Sequence, residues 1–134
     1  MNPEKENAPQ SGSERILVVE DDELVRDYVK SQLARFGYRV HAVTNGMEAL
    51  GVLKSDEEID LLFTDIVMPG GLSGIDLAEQ ARVLRPGLKI LFTSGYTESV
   101  VHDDTRFGTK AQLLNKPYRR QDLADKLRMA LQGE

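Results

Sequence analysis

The chain has 134 residues, of which 40% are hydrophobic and 29% charged, a size and composition that suit one globular domain and argue against overall disorder. Seventeen Lys and Arg against 22 Asp and Glu leave a net charge of −5, so phosphate backbones and anionic lipid surfaces are repelled and no nucleic-acid or membrane partner is expected. The absence of cysteine excludes disulfides, thiol catalysis and Cys-based zinc sites.

Residues 1–13 carry only Met1 and Ala8 as apolar residues beside Pro3 and Pro9, too little to offset the entropy of ordering, and are expected to form a flexible polar tail. No apolar core of a signal peptide follows Met1, and no apolar run approaches the roughly 20 residues that span a bilayer, so a cytoplasmic location is expected. A domain is expected over 14–132, with 133–134 as a short tail.

Ile16-Leu17-Val18-Val19 opens the domain as a short apolar run of strand character. Leu24, Val25, Tyr28, Val29, Leu33 and Phe36 then recur at three- and four-residue spacings, which predicts a helix with those residues on its buried face and Gly37 at its end. Tyr38 to Val43 is a second strand. Asn45 and Glu48 form the pattern of an N-cap and capping box for a helix that buries Ala49, Leu50 and Leu53. Leu61-Leu62-Phe63 is a third strand, followed by a helix facing inward through Leu77, Ala78, Ala81 and Leu84 and stopped by Pro86 and Gly87. Ile90-Leu91-Phe92 and Leu113-Leu114 complete five strands, and Leu123, Leu127 and Leu131 mark a last helix. Between the fourth and fifth strands, Thr97 to Thr109 has little apolar surface and predicts a short, poorly anchored helix. Strict alternation of strand and helix implies an α/β, doubly wound parallel sheet that binds ligands outside the carboxyl ends of its strands.

The residues at those ends are Glu20, Asp21 and Asp22 after the first strand, Asp65 after the third, Ser94 after the fourth and Lys116 after the fifth. A parallel sheet brings them together. Several facing carboxylates repel unless a cation neutralises them, and a hard oxygen-ligated ion such as Mg²⁺ suits the set, because it takes one or two carboxylates and keeps positions for water and phosphoryl oxygens.

In order and spacing, Ile16 to Asp22, Thr64-Asp65-Ile66-Val67-Met68-Pro69, Phe92-Thr93-Ser94-Gly95-Tyr96 and Asn115-Lys116-Pro117 resemble the response regulator receiver domain family over about residues 14–132. The resemblance implies a flavodoxin-like fold of strand order 2-1-3-4-5 and a phosphoacceptor switch in a two-component system or phosphorelay, rather than an enzyme acting on an external substrate. It implies that Asp65 takes a phosphoryl group from a phosphohistidine on a histidine kinase or histidine phosphotransfer protein, forming an aspartyl phosphate. It further implies that Asp21, Asp65 and the Val67 backbone carbonyl hold Mg²⁺, with Glu20 acting through a bound water. Asp22, one place beyond the matched acidic pair, ranks below these. Lys116 is expected against Asp65 and the phosphoryl oxygens, and the Ser94 hydroxyl against the phosphorylated form. A downstream protein target would read the result, in either a freestanding regulator or a receiver module of a hybrid histidine kinase.

Two departures bear on how the state is read. Leu113 stands where most family members have an aromatic switch residue, so Tyr96, two residues after Ser94, is an alternative gate. The loop Gly70 to Gly74 is one residue longer than usual. A haloacid-dehalogenase-like phosphatase is the alternative function, but its second Asp, two residues after the nucleophile, is Val67 in this chain. No organic cofactor is expected, since FMN needs a phosphate-cradling loop where Glu20 to Glu23 would repel it. His41 and His102 fall outside the constellation and are expected at the surface.

Overall fold

The computed structural model describes residues 14–67, 71–94, 111–116 and 118–132. Among the described residues, strands β1 (Arg15–Val19), β2 (Arg39–Val43), β3 (Leu61–Asp65), β4 (Lys89–Ser94) and β5 (Ala111–Asn115) and helices α1 (Glu23–Arg35), α2 (Gly46–Lys54), α3 (Gly74–Leu84) and α4 (Arg120–Leu131) follow in the order β1-α1-β2-α2-β3-α3-β4-β5-α4. All neighbouring strands are parallel and the order is β2-β1-β3-β4-β5, as expected. The chain order reverses between β1 and β3, and a crevice opens at the carboxyl ends of strands at such a switch point.

Short apolar runs become strands because both faces of this sheet are covered. Successive side chains of a strand point to opposite faces, so a strand buried on both sides is apolar throughout. Leu17 and Val19 join Leu62, Ile90 and Phe92 in a core under α2 and α3, while Ile16 and Val18 join Leu61, Phe63, Leu91 and Leu114 in a second core under α1 and α4. Ile16, Leu17, Leu61, Leu62, Ile90, Leu91 and Phe92 are all fully buried, which leaves the strand ends as the place where polar chemistry is possible.

Helix ends are fixed by local hydrogen bonds. Gly37 (φ 99°) terminates α1 in a backbone conformation other residues rarely adopt, with its N–H donating to the Ala34 carbonyl (3.0 Å) and the Tyr38 N–H to that of Leu33 (3.1 Å). Asn45 caps α2 by accepting from the Glu48 N–H (2.9 Å). Glu48 reaches back one residue further than a capping box requires, accepting from the Thr44 N–H (2.8 Å) and hydroxyl (2.9 Å) rather than from Asn45. At the other end of α2, Arg85 donates to the Leu53 (3.1 Å) and Ser55 (3.0 Å) carbonyls and so ties α2 to the end of α3.

Two helix faces differ from expectation. On α1, Val29 and Leu33 are buried and Val25 and Phe36 pack beside them, whereas Leu24 and Tyr28 are 80% and 46% exposed. A helix lying on a sheet buries a narrow stripe, and Leu24 and Tyr28 form a second i, i+4 pair one position to its side. On α3, Leu77, Ala78 and Ala81 are buried but Leu84, in the last turn, is 40% exposed. The expected tails at 1–13 and 133–134 and the weak helix over 97–109 lie outside the described residues. Among the described residues, no helix is long and apolar enough to cross a membrane.

Candidate functional site at the carboxyl ends of the strands

The switch point gathers most of the constellation expected from sequence. Asp65 ends β3, and the Lys116 ammonium, directly after β5, donates to its Oδ2 at 2.9 Å. Asp65 and Lys116 side chains are 16% and 31% exposed, so this is a partly desolvated ion pair open to solvent on one side. Glu20 follows β1 and is buried. Its N–H donates to the Val43 carbonyl (3.1 Å), its carbonyl accepts from Arg26 on α1 (2.9 Å), and its carboxylate accepts from the Asp22 N–H (3.2 Å). Two hydrogen bonds thus hold the Glu20 backbone and one its carboxylate, beside the cleft that Glu20 lines with Asp65.

The acidic residues after β1 divide the work. Asp22 is the N-cap of α1, and its Oδ1 accepts from the Leu24 (2.9 Å) and Val25 (3.1 Å) amides. That is the ordinary duty of an acidic residue at a helix start. Asp21, between Glu20 and the cap, is exposed.

The charges are strongly interdependent. Burial above all pushes the Glu20 carboxyl up from its ordinary value, with Asp65 and Asp21 adding to the rise against the Asp22 amide and the Lys116 ammonium. Burial pulls Lys116 down, but the hydrogen bond and attraction of Asp65, with Glu20 and Asp21 behind it, outweigh that and leave the ammonium held above its ordinary value.

A testable consequence follows for Glu20. Its folded pKa lies above the unfolded value near 4.5, so stability is lost as pH rises through the unfolded value towards the raised folded one, and the loss persists at neutral pH. Glu20→Gln keeps an acceptor for the Asp22 amide and removes the charge. Without divalent cation the variant is expected to melt above wild type at pH 7, with the difference vanishing towards pH 4, as thermal unfolding across that range would show. A variant less stable than wild type at pH 7 would contradict the assigned balance.

The donor set fits a hard divalent cation. Glu20, Asp21 and Asp65 offer only oxygen ligands, and one ammonium does not neutralise them. Among the described residues, no three carboxylates or imidazoles stand at metal-binding separation. Mg²⁺ does not require that, since it completes its shell largely with water.

Three residues with no role expected from the sequence line the same cleft as Asp65 and Glu20. Thr64 and Thr93 are buried, with Thr93 opposite Asp65 in the β3–β4 register, and the Thr64 hydroxyl donates to the Asp65 carbonyl (3.1 Å). Tyr118 closes the cleft from the α1–α4 side, and its phenol is pushed up to about 12 by burial first and then by Glu20, Tyr28 and Asp65. Its position two residues after Lys116 was the available signal. Ser94 ends β4 beside Asn115 of β5, which puts its backbone at the same edge of the sheet. Val67 is 69% exposed on the strand-end loop, and Leu113 packs against the core under α2 and α3. His41 lies apart, with Nδ1 2.7 Å from Glu57 Oε2. Tyr96, His102, Pro117 and Gly70 lie outside the described residues.

Comparison with known proteins agrees with this geometry. A family model for the response regulator receiver domain matches residues 16–128. The chain is 37% identical over 117 residues to the response regulator receiver protein CpdR of Brucella abortus (strain 2308), covering 87% of this chain and 96% of that protein. It is 33% identical over 125 residues to the sensor kinase CckA of the same organism, covering 92% of this chain but only 13% of the kinase. Among solved structures, a response regulator receiver protein from Sinorhizobium medicae WSM419 superposes with a TM-score of 0.81 at 27% identity, over 89% of this chain and 94% of that one. The receiver domain of the hybrid histidine kinase CckA gives 0.73 at 33% identity, over 87% and 98%. The match decides against the haloacid-dehalogenase-like alternative. A parallel sheet in 2-1-3-4-5 order with an Asp–Lys pair at its switch point, together with a match over most of the sequence, places the chain in the response regulator receiver domain family of two-component signalling.

Proposed function

We propose that this domain takes a phosphoryl group onto Asp65 from a phosphohistidine of a histidine kinase or histidine phosphotransfer protein, in a Mg²⁺-dependent reaction, and passes the signal on by protein contacts in the cytoplasm. The observation that carries the proposal is the 2.9 Å pair between Lys116 Nζ and Asp65 Oδ2 at the open end of the sheet. An Asp65 carboxylate oxygen attacks phosphorus, the P–N bond breaks, and its electron pair returns to the imidazole nitrogen, which is reprotonated from solvent. Phosphoryl transfer asks the protein chiefly for positioning and charge neutralisation. Lys116 supplies a mobile positive charge that moves from the carboxylate to the phosphoryl oxygens, and the Ser94 hydroxyl donates to the same group. Tyr96 is a candidate gate. The domain is proposed to span 14–132.

The residues that would hold Mg²⁺ are Asp21, Asp65 and the Val67 carbonyl, with Glu20 through water, and the ion supplies charge neutralisation at the phosphoryl oxygens. Asp22 is spoken for by the helix cap, which separates two variants cleanly. Asp21→Ala is expected to weaken Mg²⁺ binding about tenfold or more, whereas Asp22→Ala should leave it within about twofold and cost about 1 kcal/mol of stability. Calorimetric Mg²⁺ titration with urea unfolding of both variants checks this, and equal losses of affinity would show the acidic pair to be misassigned. The proposal as a whole is tested by incubating the chain with labelled acetyl phosphate in Mg²⁺ or EDTA. Label on Asp65 in Mg²⁺ alone is expected, and none in Mg²⁺ would overturn it.

A further inference from the structure

The first residue of α3 rests on the peptide that carries the phosphoacceptor. A Cβ built on Gly74 would lie 1.9 Å from the Asp65 carbonyl oxygen, 2.8 Å from its carbonyl carbon and 2.9 Å from Ile66 Cα. All three are backbone atoms, so no side chain can turn aside to make room. Gly74 does not have a positive φ; among the described glycines only Gly37 and Gly71 do. Glycine is a poor residue for a helix, and here its backbone freedom is not needed. What the position requires is space.

The contact is clamped from both sides. The Gly74 N–H donates to the Ile66 carbonyl at 2.7 Å, while the Ile66 N–H donates to Thr93 of β4 at 2.9 Å. Ser73 caps the same turn by accepting from the Asp76 N–H (3.1 Å). Ile75, Leu77, Ala78 and Ala81 anchor α3 in the core, so the helix cannot slide outward without unpacking. A side chain at position 74 therefore relays its displacement into Asp65, which pairs with Lys116, and into Ile66.

We infer that Gly74 is a positioning residue for phosphoryl transfer: it lets the first turn of α3 set the place of the Asp65 carboxylate relative to Lys116. This rests on the assignment of Asp65 as phosphoacceptor. Any carbon at 1.9 Å must separate by more than an ångström to reach ordinary contact, and a misplacement of that size can cost about 100-fold in rate.

The test compares Gly74→Ala with Ala81→Gly, a cavity-forming change in the buried face of the same helix away from Asp65. Urea unfolding gives the stability of each, and labelled acetyl phosphate at saturating Mg²⁺ and donor gives the maximal rate of phosphorylation. Gly74→Ala should lose at least about tenfold in maximal rate, while Ala81→Gly, destabilised by its cavity and by a helical glycine, should stay within about twofold of wild type. A Gly74→Ala rate equal to wild type, or rate losses that track stability in both variants, would overturn the inference. Should Gly74→Ala fail to fold, Ser73→Ala loosens the same turn without adding a side chain at 74. It is expected to slow transfer about threefold, and an unchanged rate would overturn the inference. An unlabelled wild type would instead remove the phosphoacceptor assignment itself, and this inference with it.

Discussion

Asp65→Asn is expected to take up no phosphoryl label from acetyl phosphate or from a phosphorylated kinase, while remaining folded. The substitution is nearly isosteric, but an amide oxygen lacks the negative charge that makes the carboxylate a nucleophile. The fold should survive because Asp65 contributes little to either core. Its backbone is held by the β3–β4 pairing and by the Thr64 hydroxyl, neither of which the change touches. What changes is the charge balance. Lys116 is held above its ordinary value of 10.5 mainly by the hydrogen bond and attraction of Asp65. A raised folded pKa gives stability that is fully present below the unfolded value and is lost as pH rises through the folded one. In Asp65→Asn the chief influences raising Lys116 are gone and burial still pulls it down, so that alkaline loss should be smaller than in wild type, as melting between about pH 8 and 11 would show. Label on the mutant, located by mass spectrometry to another residue, would remove Asp65 from its assigned role. A mutant that is unlabelled because it is unfolded would show as a lost cooperative melt.

Much of this site is legible in the sequence for one physical reason. When both faces of a parallel sheet are covered, each strand is a short apolar run, and the first polar residue after it marks the edge where chemistry can occur. Asp65 and Lys116 meet there because β3, β4 and β5 are neighbours, and the spacing of their runs carries that information. Other features depend on how elements dock, which spacing does not report. The periodicity of α1 admits Leu24 and Tyr28 to its inner face as readily as Val25 and Val29, and only the narrow stripe against the sheet decides between them. Thr93 looks like an ordinary strand residue until the β3–β4 register puts it opposite Asp65, in the cleft that both line with Thr64. Gly74 resembles any glycine at a helix start. Its importance comes from a contact nine positions back along the chain, visible only when α3 is seated. Asp22, which the sequence ranks as a secondary metal ligand, is the cap of α1, because an acidic residue before a helix suits either use and only the seated helix decides between them.

Lys116→Met is expected to have two effects of opposite sign, and together they separate a catalytic charge from a structural one. Met keeps much of the aliphatic stem and removes only the ammonium, which stands 2.9 Å from Asp65 and is also felt by Glu20 and Asp21. Losing that charge removes the ammonium that offsets these carboxylates. Attraction for a divalent cation then rises. At an effective dielectric near 20, a unit charge about 4 Å away is worth about 4 kcal/mol, but a side chain one-third exposed is screened by water, so a gain of about tenfold in Mg²⁺ affinity is the reasonable expectation. The rate of phosphorylation should move the other way. An ammonium poised to neutralise the transferred group acts on charge that develops in the transition state, and removing one such group costs about 100- to 1000-fold. Without Mg²⁺ the variant should melt below wild type, because repulsion among Glu20, Asp21 and Asp65 is no longer offset, and added Mg²⁺ should restore more stability than it does in wild type. Calorimetric Mg²⁺ titration, labelling rates at saturating Mg²⁺ and melts with and without the ion measure the three quantities independently. Tighter Mg²⁺ binding with slow transfer would establish Lys116 as the charge that neutralises the phosphoryl group. Weaker binding and slow transfer together would mean that the ammonium organises the carboxylates, and its place in the transfer step would have to be given up.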